Sequence, residues 1–181
     1  MTIYANDSNT YKLIIAGPVG AGKTEAIRML SDKGVVTTEE VASDEVSKMK
    51  RTTTVAMDYG IMKLDSGEQV RLYGTPGQRR FDFMWDILSE NSLGLILLLN
   101  AENEDPVDDL AYYLDSFLPL IKSSALVVGV THAENIPWDL HQRLSEYLVE
   151  RGIPANVSIV DARKRADMQQ LVSSLVYMIA S

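Results

Sequence analysis

The sequence predicts an α/β domain built around a mostly parallel sheet, and three features carry that prediction. Short apolar runs alternate with stretches of helical periodicity along the chain. The most apolar run, residues 93–99, is almost uniformly Leu and Ile, as a parallel strand covered on both faces requires. Two β-rich runs, 55–64 and 69–73, flank the turn Asp65-Ser66-Gly67-Glu68, a hairpin that adds one antiparallel strand at an edge.

Taken in order, residues 11–16 are the first strand and end in a glycine-rich turn. Residues 23–32 read as a helix that closes near Gly34. The polar stretch 37–51 has no clean periodicity and reads as a loop before the hairpin. After the 93–99 strand, Leu110, Leu114, Phe117, Leu118 and Ile121 form one stripe of a helix over 107–121. A buried strand follows at 125–130, and Pro137 suits the first turn of a helix over 138–150. A short strand at 156–160 and a terminal helix at 166–179 complete the pattern. No repeat, low-complexity tract or linker interrupts the 181 residues. One domain over residues 11–181, behind a short N-terminal extension of residues 1–10, is therefore expected.

Composition narrows the function classes. A chain with 46% hydrophobic residues can build a core without staples, and it holds no cysteine. Disulfides, Cys-ligated zinc and thiol nucleophiles are excluded. Lys and Arg number 17 against 25 Asp and Glu, a net charge of −8, so nucleic acid and anionic membrane are poor partners. The first residues lack a signal-peptide pattern, and neither a myristoylation glycine nor a prenylation cysteine is present. The longest apolar run is too short to span a bilayer. The expectation is a cytoplasmic, soluble protein without lipid anchor or membrane span. The two histidines, His132 and His141, are not spaced as a metal-binding cluster.

The chemistry begins at Gly17-Pro18-Val19-Gly20-Ala21-Gly22-Lys23-Thr24, a full match to G-x-x-x-x-G-K-[ST] between a predicted strand and a predicted helix. Glycines at these positions let backbone N–H groups turn toward phosphate oxygens, and the helix N-terminus adds positive partial charge. Lys23 is expected to reach the β- and γ-phosphates, and the Thr24 hydroxyl to ligate Mg²⁺.

Downstream, Thr52-Thr53-Thr54-Val55-Ala56-Met57-Asp58 precedes the hairpin, and Leu72-Tyr73-Gly74-Thr75-Pro76-Gly77-Gln78 follows it. This order resembles Ras- and Arf-type small GTPases, and the T-P-G-Q variant resembles their bacterial MglA-like branch. The resemblance implies a three-layer P-loop GTPase fold with a six-stranded, mostly parallel sheet and one antiparallel edge strand. It implies a molecular switch that binds GTP–Mg²⁺, hydrolyses it slowly to GDP, and reshapes two switch segments for a protein partner. A roadblock-type GTPase-activating protein and an effector are the partners it suggests. By the same resemblance Thr54, with Thr53 as the alternative register, senses Mg²⁺ and the γ-phosphate. Gly77 donates its N–H to that phosphate, and Gln78 orients the attacking water.

The chain also departs from the family pattern. Gly74 stands where most members carry the aspartate behind Mg²⁺, and Asp58 on the preceding strand is either its substitute or a solvated edge charge. The base-recognition motif falls on Thr131-His132-Ala133-Glu134. Glu134 keeps a carboxylate for guanine N1–H and N2–H₂, while Thr131 takes part of an asparagine's loop-tying role. His132 either lies against the purine or is solvated. In Asp161-Ala162-Arg163 the Ala162 N–H would meet guanine O6, next to Arg163, with Asp161 ordering the loop. Lys48, Lys50, Arg51, Arg79 and Arg80 offer either an arginine finger in cis or a partner-binding face. A P-loop ATPase or kinase, and a nucleotide-holding module without useful turnover, are the rival readings.

Overall fold

The computed structural model describes residues 10–37, 57–77, 79 and 83–181, with the side chains of Phe83 and Met84 excepted. In chain order the elements are β1 (Thr10–Ala16), α1 (Lys23–Leu30), β2 (Val36–Thr37), β3 (Asp58–Lys63), β4 (Gln69–Gly74), α2 (Phe83–Ser89) and β5 (Gly94–Asn100). Then come α3 (Pro106–Ser116), α4 (Leu118–Ser123), β6 (Ala125–Thr131), α5 (Leu140–Glu150), β7 (Ala155–Ile159) and α6 (Arg165–Ala180).

The strands lie in the order β2-β3-β4-β1-β5-β6-β7. Five of them, β4, β1, β5, β6 and β7, run parallel as neighbours, and β3 pairs antiparallel with β4. The α/β class, the parallel core and the single antiparallel strand are as the sequence predicts. Among the described residues a two-residue strand joins the six expected, because Val36 and Thr37 pair with Tyr59 and Asp58 and place β2 outside the antiparallel β3. Among the described residues no helix is long and apolar enough to cross a membrane.

Alternation along the central strands divides the core into two layers. Leu13, Ile15, Leu72, Ile96, Leu98 and Val127 pack against α1 and α6 through Ile27, Leu30, Met168, Leu171 and Leu175. Ile14, Ala16, Tyr73, Leu95, Leu97, Leu99 and Val128 face the other way, onto α2 to α5. Both faces of β5 and β6 are covered, which explains why their sequences show no polar alternation.

The expected single helix over 107–121 is two helices that meet at Phe117. Pro119 has no N–H to bond back to Asp115, so the ladder breaks and restarts. Asp105 caps α3, its side chain accepting from the Asp108 N–H at 3.0 Å, ahead of Pro106 in the first turn. The helix expected from residue 138 begins at Leu140. Helix α2 was not legible from periodicity, being only seven residues long.

Strand order reverses at β1: the chain leaves it toward β4 on one side and continues from β5 on the other. In an open parallel sheet such a reversal leaves a crevice at the carboxyl ends of the strands. The loop after β1 opens into that crevice. Leu97 of the neighbouring strand β5 is fully buried in the layer that faces α2 to α5. Leu97→Ala should cost about 2–5 kcal/mol of stability through a cavity that cannot collapse, measured as a lower denaturant midpoint.

Candidate nucleotide site

The loop from Gly17 to Gly22 is shaped by positions that no side chain could share. Gly17 has φ +149°, and a Cβ there would lie 2.1 Å from the Leu98 carbonyl oxygen of β5. Gly22 has φ +99° and leads into α1 without a side-chain cap. The first N–H groups of that helix are therefore left for another acceptor.

Lys23 reaches back along the loop and donates to the carbonyls of Gly17 at 2.7 Å and Pro18 at 2.8 Å. Burial lowers its pKa from 10.5 to about 8, against an opposing pull from the Asp58 charge. Gly77 closes the open side of this cradle. A Cβ on it would fall 2.6 Å from the Val19 nitrogen and 2.7 Å from the Lys23 Nζ.

Asp58 is a correction to the solvated-edge alternative. The Thr24 hydroxyl donates to its carboxylate. Asp58 heads β3 directly opposite Gly74 on β4. Cross-strand partners point to one face, so Asp58 projects toward α1 on the side where a residue at 74 would project. At 74 a side chain would meet Ile27 Cδ1 at 2.8 Å. A Cβ at 74 would also lie 3.4 Å from the Asp58 Cβ, so the glycine leaves Asp58 its space.

The ends of β5 and β6 hold the loop from its other side. Thr131, 3% exposed, shares its hydroxyl proton between the carbonyls of Ala21 at 2.8 Å and Leu99 at 3.2 Å. The His132 Nε2 lies 3.0 Å from the Gly20 carbonyl, so that nitrogen carries a proton and donates. The Asn100 amide donates to the same oxygen at 3.2 Å. His132 is thus partnered through its ring nitrogen while its side chain stays exposed. Thr131 performs the tying role expected of it, and Asn100 was not foreseen.

Beyond Gly22 lies a cavity of about 620 Å³ whose walls include Thr131, His132, Ala133, Glu134, Asp161, Ala162 and Arg163. Asp161 accepts from the Arg163 side chain and backbone, three contacts each at 2.9 Å, which lower its pKa to about 2. The Asp167 carboxylate accepts the Asp161 N–H at 2.8 Å and fixes the loop onto α6. Glu134 stays largely exposed, with Arg163 NH2 at 3.9 Å.

Of the remaining expected site residues, Thr53, Thr54 and Gln78 lie outside the described residues, as do Lys48, Lys50, Arg51 and Arg80. Arg79 is described, and it turns onto α3, over the Tyr112 ring at 3.9 Å and beside Asp108 and Asp109.

The model of a protein family described as Conserved hypothetical ATP binding protein matches residues 33–133. An uncharacterized protein of Methanocaldococcus jannaschii is 27% identical over 101 residues, which cover 55% of this chain. The match spans 62% of that relative, less than two thirds of its length. Among solved structures, the bacterial selenocysteine-specific elongation factor EF-Sec superposes with a TM-score of 0.60 at 16% identity, over 94% of this chain and 28% of that one. That likeness is one of fold. Together these comparisons support a P-loop GTPase-like fold and nucleotide binding by a P-loop domain, and the narrower MglA-like resemblance is carried by neither.

Lys23 links the cradle to pH. The unfolded lysine keeps its proton to 10.5 and the folded one to about 8, so between those values the unfolded state binds more protons. Stability from this group therefore rises with pH across that window and is lowest below it. Lys23→Met removes the term. The stability difference, variant minus native, should be largest near neutral pH and shrink above about pH 8, as read from denaturant midpoints at both ends.

Proposed function

Since the chain belongs to that ATP-binding family, we propose that it is a nucleotide-binding switch that holds GTP with Mg²⁺ and hydrolyses it slowly to GDP. The observation that carries the reading is the continuity of cradle and cavity. Backbone donors and Lys23 sit at one end, and the acceptor-only carboxylate of Glu134 lines the other. Guanine presents N1–H and N2–H₂ side by side to such a carboxylate. Adenine presents an unprotonated N1, which would leave both lone-pair sets facing each other.

The residues fit a magnesium ion. The Thr24 hydroxyl and the Asp58 carboxylate are hard oxygen donors already in contact, and Mg²⁺ binds through one or two protein oxygens together with phosphates. Thr24 would be its ligand, with Asp58 behind it; Thr54 is the further ligand the sequence suggests. When bound, the ion would neutralise charge on the transferring phosphoryl group.

The chain's own residues do the rest. Lys23 positions the terminal phosphates, Gly77 closes beside them, and Gln78 would orient water. Thr131, His132 and Asn100 hold the loop's shape, so no reorganisation is needed when phosphate arrives. Ala162, with its neighbour Arg163, would frame the base edge. A roadblock-type activating protein and an effector would read the switch segments.

An ATPase reading is favoured by the family's description alone, and competition decides it. GDP should outcompete ADP by at least ~2 kcal/mol, roughly 30-fold. Glu134→Gln should weaken GDP and strengthen xanthosine diphosphate, because its amide can donate to the xanthine C2 carbonyl. Equal GDP and ADP affinities in the native protein would sink the guanine assignment.

The metal assignment has its own test. Asp58→Asn should raise the Mg²⁺ concentration needed to retain nucleotide by about 10- to 100-fold, and leave Mg²⁺-free binding nearly unchanged. An unaltered Mg²⁺ titration would return Asp58 to the status of an edge charge.

A further inference from the structure

Helix α3 carries an aromatic wall that faces the segment after β4. Trp85 of α2 stacks on Tyr113 at 5.1 Å and on Phe117 at 4.9 Å, and meets Tyr112 edge-on at 5.9 Å. From this wall one hydroxyl reaches the segment after β4. The Tyr113 hydroxyl lies 3.4 Å from the Gly77 carbonyl and donates to it. Two residues on, Arg79 is held by the same helix, through the Tyr112 ring and the carboxylates of Asp108 and Asp109 at 3.6 Å and 3.5 Å. The chain is thus fastened to α3 on both sides of position 78.

We propose that Tyr113 is a positioning residue: its hydroxyl sets where Gly77 stands against the phosphate cradle, with Arg79 as the second fastening. The proposal rests on the reading of the chain as a GTP-hydrolysing switch. Gly77 has no slack on its other side, where a Cβ would already strike the Val19 nitrogen and Lys23. Its distance from a terminal phosphate is therefore decided by what pulls its carbonyl toward α3. A contact at 3.4 Å is long for a hydroxyl donor, so a small shift either tightens or releases it. Burial pushes the Tyr113 pKa upward, and the hydroxyl remains a donor.

The flanks of the segment point the same way. Among the described residues, the buried side-chain polar atoms without a partner are Thr75 Oγ1 and Trp85 Nε1. One lies two residues before Gly77 and the other on the helix that follows. Each costs stability where it stands and gives the segment no fastening of its own.

Trp85 also makes the proposal measurable. The chain has two tryptophans, and Trp138 is 90% exposed, so Trp138→Phe leaves Trp85 as the single reporter. In that background, GDP affinity, single-turnover GTP hydrolysis, and Trp85 emission with GDP and with a non-hydrolysable GTP analogue are measured with Mg²⁺. Tyr113→Phe keeps the stacking and removes only the hydroxyl. It should leave GDP affinity within about twofold, slow hydrolysis by about two- to tenfold, the range of one neutral hydrogen bond, and shrink the emission difference between the two nucleotides. Arg79→Ala, an exposed substitution that does not threaten the fold, should give the same pattern. Rates and emission equal to the background in both variants would overturn the positioning role. So would a loss of GDP affinity that matches the loss of rate, which marks a merely structural residue. If the background protein itself hydrolyses no GTP, the functional reading fails first and the positioning role falls with it.

Discussion

A loop that turns its N–H groups inward turns its carbonyls elsewhere, and here those carbonyls find donors within the protein. That constraint organises this molecule. Lys23 supplies donors to Gly17 and Pro18 from within the loop's own helix. Asn100 and His132 supply Gly20, and Thr131 supplies Ala21. Those last three side chains stand at the carboxyl ends of β5 and β6 or just past them. They arrive in register because the two strands pair without a bulge from Gly94–Ala125 to Asn100–Thr131. The apolar core beneath the crevice therefore does more than stabilise. It sets the height at which the donors meet the loop.

The loop after β6 follows from the same need. An asparagine could donate to a loop carbonyl through its amide; threonine can do so only if it sits closer, and Thr131 is accordingly buried at the very end of β6. The next residue must then turn sharply, and His132 adopts φ +55°. That turn brings its imidazole back to Gly20. Threonine and histidine here are a matched pair: the first holds the loop at short range, and the second spans the remaining distance. Glu134, with its extra methylene, is left outside this network and largely exposed, so its carboxylate is not committed to holding the fold.

How much of this was legible beforehand depended on the range of the interaction. The glycine-rich loop was legible because its requirement is local: φ angles and space that only glycine provides. The strands β5 and β6 were legible because double-sided burial removes polar alternation. The break at Phe117 was legible in principle from Pro119 and was masked by an apolar stripe that happens to continue across it. The role of Asp58 could not be read locally, since it depends on the hairpin register that sets it opposite Gly74. The docking of Arg79 and the Tyr113 contact depend on how α3 lies across the sheet, and no spacing within one segment encodes that.

The position of Asp58 also bears on why Lys23 can be buried at all. A desolvated ammonium needs a compensating negative charge or loses its proton, and the Asp58 carboxylate supplies part of that compensation from the neighbouring strand. It does not supply all of it, since burial still dominates and the lysine is left more acidic than usual. An anion held at the cradle would bring negative charge to the lysine and so relieve part of that cost. A carboxylate at position 74 would stand on the same face of the sheet but crowd Ile27. One strand over, Asp58 touches Thr24 instead, and the pair would offer oxygen donors to a divalent ion. Asp58 thus faces two ways, its charge opposing the deprotonation of Lys23 and its carboxylate accepting from Thr24.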